Sequence, residues 1–108
     1  MEKKYSRPPE HVTDYVNHCI RFYITCPDGI LTQDHSKAEI NDWVATQMIF
    51  SDLDPEESRF LFDVYRRKGR GFSETVKLCA EVHNMTTSDC WKLIDRASVR
   101  IARARGLI

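Results

Sequence analysis

A chain of 108 residues with 42% hydrophobic and 30% charged side chains has the balance of a folded domain, which excludes the disordered and low-complexity classes. Sixteen basic and sixteen acidic residues give a net charge of zero, so the average charge does not point to a polyanionic partner. No apolar run reaches the roughly 18 to 20 residues that span a bilayer. The N-terminus Met1-Glu2-Lys3-Lys4-Tyr5 also lacks the apolar core of a secretory signal, so a cytoplasmic protein without membrane contact is expected.

Residues 1–8 read as a flexible arm, with Pro8-Pro9 forcing an extended entry. From Pro9 to about Thr25, Val12, Tyr15, Val16, Cys19, Ile20, Phe22 and Tyr23 recur at intervals of three and four and mark a buried helical face. Cys26-Pro27-Asp28-Gly29 stops that helix, and residues 30–35 read as a loop. Ser36-Lys37-Ala38-Glu39 has the spacing of a capping box, in which Ser and Glu satisfy each other's free amides. A second amphipathic helix then runs to about Phe50 through Ile40, Trp43, Val44, Gln47 and Met48.

Asp54-Pro55-Glu56-Glu57 opens a third helix with a cap, a proline at the first helical position and acids at the positive dipole end. Its apolar face is Phe60, Leu61, Val64 and Tyr65, and Gly69-Arg70-Gly71 ends it. Two further helices are predicted, one from Ser73 to about His83 and the other from Thr87 to about Arg105. No segment alternates with a period of two. The expected class is all-α with about five helices: a helical pair over 9–52 that completes the core or dimerises, and a three-helix unit over 53–108.

The last two helices have the local chemistry of a helix-turn-helix. Ala80 is the small residue where the helices meet, Asn84 tolerates left-handed backbone in the turn, and Met85 is the apolar residue after it. Thr86 and Thr87 can cap the second helix, and Cys90, Leu93 and Ile94 turn inward. In a DNA complex the second helix would enter the major groove by its N-terminal half. That makes Thr86, Thr87, Ser88, Trp91 and Lys92 candidates for base or nearby backbone contact. Arg96, Arg100 and Arg103 are candidates for phosphate contact, and Arg66, Arg67, Lys68 and Arg70 form a second basic cluster. The charge distribution supports this, because residues 53–108 hold eleven Lys/Arg against eight acids while residues 1–52 hold five against eight. Asp89 and Asp95 are expected at exposed positions of the same helix. Trp91 is equally open to packing on the N-terminal helices or on a partner.

The run Leu53-Asp54-Pro55-Glu56-Glu57, the Gly-containing link, and the stretch from Ser73 to Arg96-Ala97 with its following arginines resemble region 4 of sigma factors. A small protein ending in such a module is similar to phage transcription regulators of the ArpU/RinA kind. The resemblance implies a sequence-specific DNA-binding transcription regulator with double-stranded DNA as partner. Asn84 stands where that family usually has Gly, and His83 where a buried Leu is usual. The alternative is a helical interaction module that docks on RNA polymerase or a phage partner without binding DNA. The apolar surfaces of the first two helices also fit a homodimer.

Enzyme signatures are absent, with no phosphate-binding Gly loop, no G-x-S-x-G and no H-E-x-x-H, so no catalytic residue is expected. His11, Asp14 and His18 share a helical face but lack a third anchored ligand. Cys19, Cys26, Cys79 and Cys90 form no C-x-x-C pair and read as reduced thiols, with Cys79 and Cys90 at core positions. Neither metal nor cofactor is expected.

Overall fold

The computed structural model describes residues 10–26, 29, 34–67 and 69–108. Among them are five α-helices and no strand: α1 (Glu10–Thr25), α2 (Lys37–Ser51), α3 (Pro55–Arg66), α4 (Phe72–Val82) and α5 (Thr87–Ala104). The expected arm over 1–8 and most of the loop over 30–35 lie outside the described residues, as do Pro27 and Asp28. No described helix is long and apolar enough to cross a membrane.

The helix starts follow from their capping chemistry. At α2 the Ser36 amide donates to the Glu39 carboxylate at 2.9 Å while the Glu39 amide donates to Ser36 Oγ at 3.1 Å. At α3 the Asp54 amide donates to Glu57 Oε1 at 3.1 Å, and Pro55 occupies the first turn. Helix α3 ends earlier than the glycine pattern suggests. Arg67 is already extended, and Gly69 takes the left-handed conformation (φ +91°) that turns the chain.

One buried cluster contains residues of all five helices, including Val16 and Ile20 of α1, Phe50 of α2, Phe60 and Leu61 of α3, Val76 of α4 and Ile101 of α5. The two N-terminal helices thus share a core with the other three. Tyr23 bridges the halves, its ring lying 5.2 Å from Trp43 and from Phe50 and 5.9 Å from Phe62, between centroids. Cys19, Cys79 and Cys90 are buried, Cys26 is half-buried, and all four are free thiols. Burial pushes the Cys19 thiol up to about 12, which keeps it protonated and unreactive. Helix α2 is apolar on both sides: Ala45, Ile49 and Phe50 face the core, whereas Val44 and Met48 are exposed.

A polar lock fixes the end of α5. Arg105, its C-cap residue, donates from Nε to Asp42 Oδ1 of α2 at 2.6 Å, and the Tyr15 hydroxyl of α1 donates to the same oxygen at 2.8 Å. Asp42 is buried, and these two donors satisfy its Oδ1 away from water. Hydrogen bonding to Arg105 lowers the Tyr15 pKa, but burial and the Asp42 charge outweigh it and raise the value overall. Asp42→Ala would strand a guanidinium and a phenol beside a cavity, at a cost of about 3 kcal/mol in unfolding free energy. Urea denaturation followed by circular dichroism measures this, and a loss under about 0.5 kcal/mol, the range of ordinary surface substitutions, would rule out the lock.

Candidate nucleic-acid interface

The α4–α5 junction closes by backbone geometry. His83 caps α4, Asn84 is left-handed (φ +58°), the Met85 amide donates to Ala80 O at 2.8 Å and the Asn84 amide to Glu81 O at 3.2 Å. These are the paired bonds of a Schellman ending, and they reverse the chain within a few residues. Asn serves because left-handed backbone strains an ordinary L-residue but is tolerated by Asn. Ala80 is buried and Met85 is packed against the core, while Thr86 Oγ1 accepts from the Asp89 amide at 3.0 Å and starts α5. His83 is held as well. Its Nε2 lies 2.9 Å from Asp63 Oδ2, and its ring meets Phe60 edge-on at 5.7 Å.

Eight residues of α5 are buried, among them Cys90, Leu93, Ile94, Ala97, Ile101 and Ala102. Ser88, Lys92, Arg96 and Arg103 fall within roughly a quarter-turn of one another on the opposite side, and all are exposed. Thr86 and Thr87 are exposed at the amino end. Asp89 is exposed as expected, but Asp95 is not. It is buried and lines a small groove with Thr13 and Asn17 of α1, because its position on the wheel faces α1 rather than solvent. Trp91 is half-buried in the same groove with its ring 5.8 Å from Phe72, so it is engaged within the chain.

Most of the α5 arginines meet acids from neighbouring helices. Arg96 NH2 lies 3.0 Å from Glu57 Oε2 and Arg100 NH2 lies 2.6 Å from Asp52 Oδ2. With Arg105 on Asp42, three of the four arginines after Ile94 are paired inside the chain. The Arg96 and Arg100 pairs are exposed, and such pairs contribute at most about 1 kcal/mol. A phosphate can displace them, but each brings a carboxylate to the place where the phosphate would sit.

The second cluster lies elsewhere. Arg66 ends α3, roughly 14 Å along the helix axis from Glu57 and its arginine partner. Arg66, Arg67 and Arg70 line one groove with Arg21, Ile24, Thr25 and Tyr65. Lys68 lies outside the described residues. Arg67 donates to Asp63 from Nε at 2.8 Å and from NH2 at 3.2 Å, so Asp63 joins this cluster to the His83 cap. Arg21 carries no signal in the sequence, being a single cation between apolar neighbours, and only the packing of α1 on α3 brings it here. His11, Asp14 and His18 are all exposed on α1, and among the described residues no group of three or more His, Cys, Asp or Glu is placed to hold a metal.

Two outcomes follow from this geometry. Asn84→Ala should lower unfolding free energy by about 1 kcal/mol, the strain of left-handed backbone on an ordinary residue, while Asn84→Gly should not. Equal urea midpoints for Ala and the native protein would exclude the strain. Partial burial acts to raise the Asp63 pKa, but the hydrogen bonds from Arg67 and His83, with their charges, outweigh it and hold the carboxyl below its ordinary 3.8. Such a group stabilises the fold fully above its unfolded pKa and loses that contribution as pH falls through the lower native value. Between about pH 5 and about pH 2.5 the native protein should therefore lose more stability than Asp63→Asn. Parallel losses in urea midpoint would show that Asp63 contributes nothing.

No family model, no curated protein and no solved structure matches this chain.

Proposed function

We propose that the chain is a sequence-reading DNA-binding protein, a transcription regulator, in which α4, the Asn84 turn and α5 act as a helix-turn-helix of the sigma region 4 kind. The observation that carries this reading is the junction itself. A Schellman ending at Asn84 joins two helices of one core and leaves the outward side of α5 uncovered from Thr87 through Ser88, Lys92 and Arg96. That uncovered stretch is about 14 Å long, and a major groove about 12 Å wide admits a helix. Thr86, Thr87, Ser88 and Lys92 are the groups nearest the base edges. Arg96, Arg100 and Arg103 reach the flanking phosphates, the first two after leaving Glu57 and Asp52. Trp91 supports α5 against Phe72 and takes no part in reading.

A second reading, docking on another protein, is favoured by one observation: Val44 is 43% and Met48 59% exposed on the outer side of α2.

Fluorescence anisotropy of a labelled mixed-sequence duplex at several salt concentrations separates the two readings. The four cations of α5 give an expected log–log slope of about −3.6, at −0.9 per phosphate. Lys92→Ala and Arg103→Ala should each flatten the slope by about 0.9. Glu57→Gln should raise duplex affinity two- to five-fold, the equivalent of about 0.5 to 1 kcal/mol for an exposed pair, because it frees Arg96 while an amide oxygen can still cap α3. No binding at low salt would reject the DNA reading and leave the docking one.

A further inference from the structure

The groove between the carboxyl-terminal ends of α1 and α3 has a volume of about 510 Å³ and is lined by Arg21, Ile24, Thr25, Tyr65, Arg66, Arg67 and Arg70. Four arginines line it and no lining residue is acidic. Helix carboxyl ends attract cations, so some of this charge has an ordinary explanation. Asp63 offsets one charge through Arg67, and the two helix ends offset about half a charge each, which leaves the groove about two charges positive. On α5, by contrast, Arg96, Arg100 and Arg105 each face a carboxylate.

The chemistry of the walls selects the kind of anion. All four cations are arginine, whose planar fork grips two oxygens of a phosphate at once, which an ammonium cannot do. The Arg21 guanidinium carbon lies 5.7 Å from the Tyr65 ring centroid, a cation–π distance that holds this side chain on the wall. Tyr65 is buried and its hydroxyl donates to Asn17 Oδ1 at 2.9 Å, so the floor supplies no competing negative charge. Burial also raises its pKa, which keeps the phenol neutral. Ile24 and the arginine stems make the wall apolar, where a guanidinium–phosphate bond is stronger than in open water.

We propose that this groove is a phosphate-binding site in which Arg21, Arg66, Arg67 and Arg70 seat the oxyanions of a phosphate chain. The site is separate from the outward side of α5 and does not require α5 to read DNA. Arg66 and Arg70 are the primary grips because their guanidiniums have no ion-pair partner among the described residues, and Arg67 joins when phosphate displaces Asp63.

The test is a titration of the full-length ¹⁵N-labelled protein with inorganic tripolyphosphate, observed through arginine Nε–Hε signals. The four groove arginines should shift together and saturate, while Arg59 stays still. Arg70→Gln should weaken the midpoint about tenfold, the effect of one charge-assisted contact, and Arg66→Lys should weaken it less than Arg66→Gln. Far-UV circular dichroism checks the fold of each variant, and Arg70 is chosen because it lies in the link and supports no helix. Shifts spread equally over all exposed arginines, no saturation, or an Arg70→Gln midpoint equal to the native one would each overturn the site. A mixed-sequence duplex added to the saturated complex identifies the source. Release of tripolyphosphate assigns the site to a nucleic-acid backbone, and retention assigns it to free polyphosphate. Lys92→Ala leaves the tripolyphosphate response unchanged, so failure of the α5 reading and failure of this site are told apart.

Discussion

Helix α5 has to be both the central strut of the core and the helix that faces outward. It is 18 residues long, buries eight of them, and packs against α1, α2 and α4. A helix surrounded on three sides keeps only a narrow arc for a partner, and the rest of the structure adapts to that. Asp95 and Ser98 fall outside the free arc and are buried toward α1. Trp91 lies at its edge and closes on Phe72. Arginines on the flanks, long enough to bend back, find the acids of neighbouring helices, and Arg105 at the end is locked on Asp42. The burial pattern of α5 therefore sets its electrostatics.

This explains how a chain of zero net charge can be locally cationic. The acids cluster where the arginines of α5 pass, at Asp42, Asp52 and Glu57, and are sparse at the far end of α3. Glu57 carries two loads on separate oxygens, since Oε1 accepts the Asp54 amide that starts α3 and Oε2 accepts Arg96. A capping residue has thus become a counter-ion for the α5 surface. Because exposed pairs are weak, such counter-ions moderate non-specific attraction to phosphate without closing the surface. An anion approaching from a distance responds to the unmatched arginines between α1 and α3, since charge matched within a few ångströms has little far field.

The elements legible in the sequence are those encoded locally. Apolar spacing gave five helices, and Ser36-to-Glu39 and Asp54-Pro55 gave two of their starts. Asn84 and Met85 gave the turn between α4 and α5, because a left-handed residue with an apolar residue after it is a short-range signal. What was missed depends on residues far apart in the chain. Arg96 meets Glu57 39 positions away, Arg100 meets Asp52 48 away, and Arg105 meets Asp42 63 away. No periodicity encodes such pairs, so the sequence does not reveal that Arg96 and Arg100, two of the candidates for phosphate contact, face carboxylates. Asp95 was misplaced for a related reason: polar character suggested solvent, while helix phase directed it to α1. The His83–Asp63 contact is equally invisible in the sequence, because Asp63 lies on another helix, 20 residues earlier.

The arginine groove and the helix pair are joined at both ends of α4, and the two joints differ. At the amino end the link is packing: Tyr65 on the groove floor meets Phe72 at 5.3 Å, and Phe72 meets Trp91 at 5.8 Å. At the carboxyl end the link is polar, since the carboxylate of Asp63 accepts from Arg67 and also holds His83, the α4 cap. If a phosphate drew Arg67 away, Asp63 would keep His83 as its remaining partner, and the cap would lose a competitor rather than an anchor. The aromatic path needs no rearrangement either, because Tyr65 is buried and its hydroxyl donates to Asn17 Oδ1 rather than into the groove. The cationic groove can therefore attract an anion while the Asn84 junction keeps its geometry, so the site proposed to hold charge and the helix pair proposed to read DNA are mechanically separate.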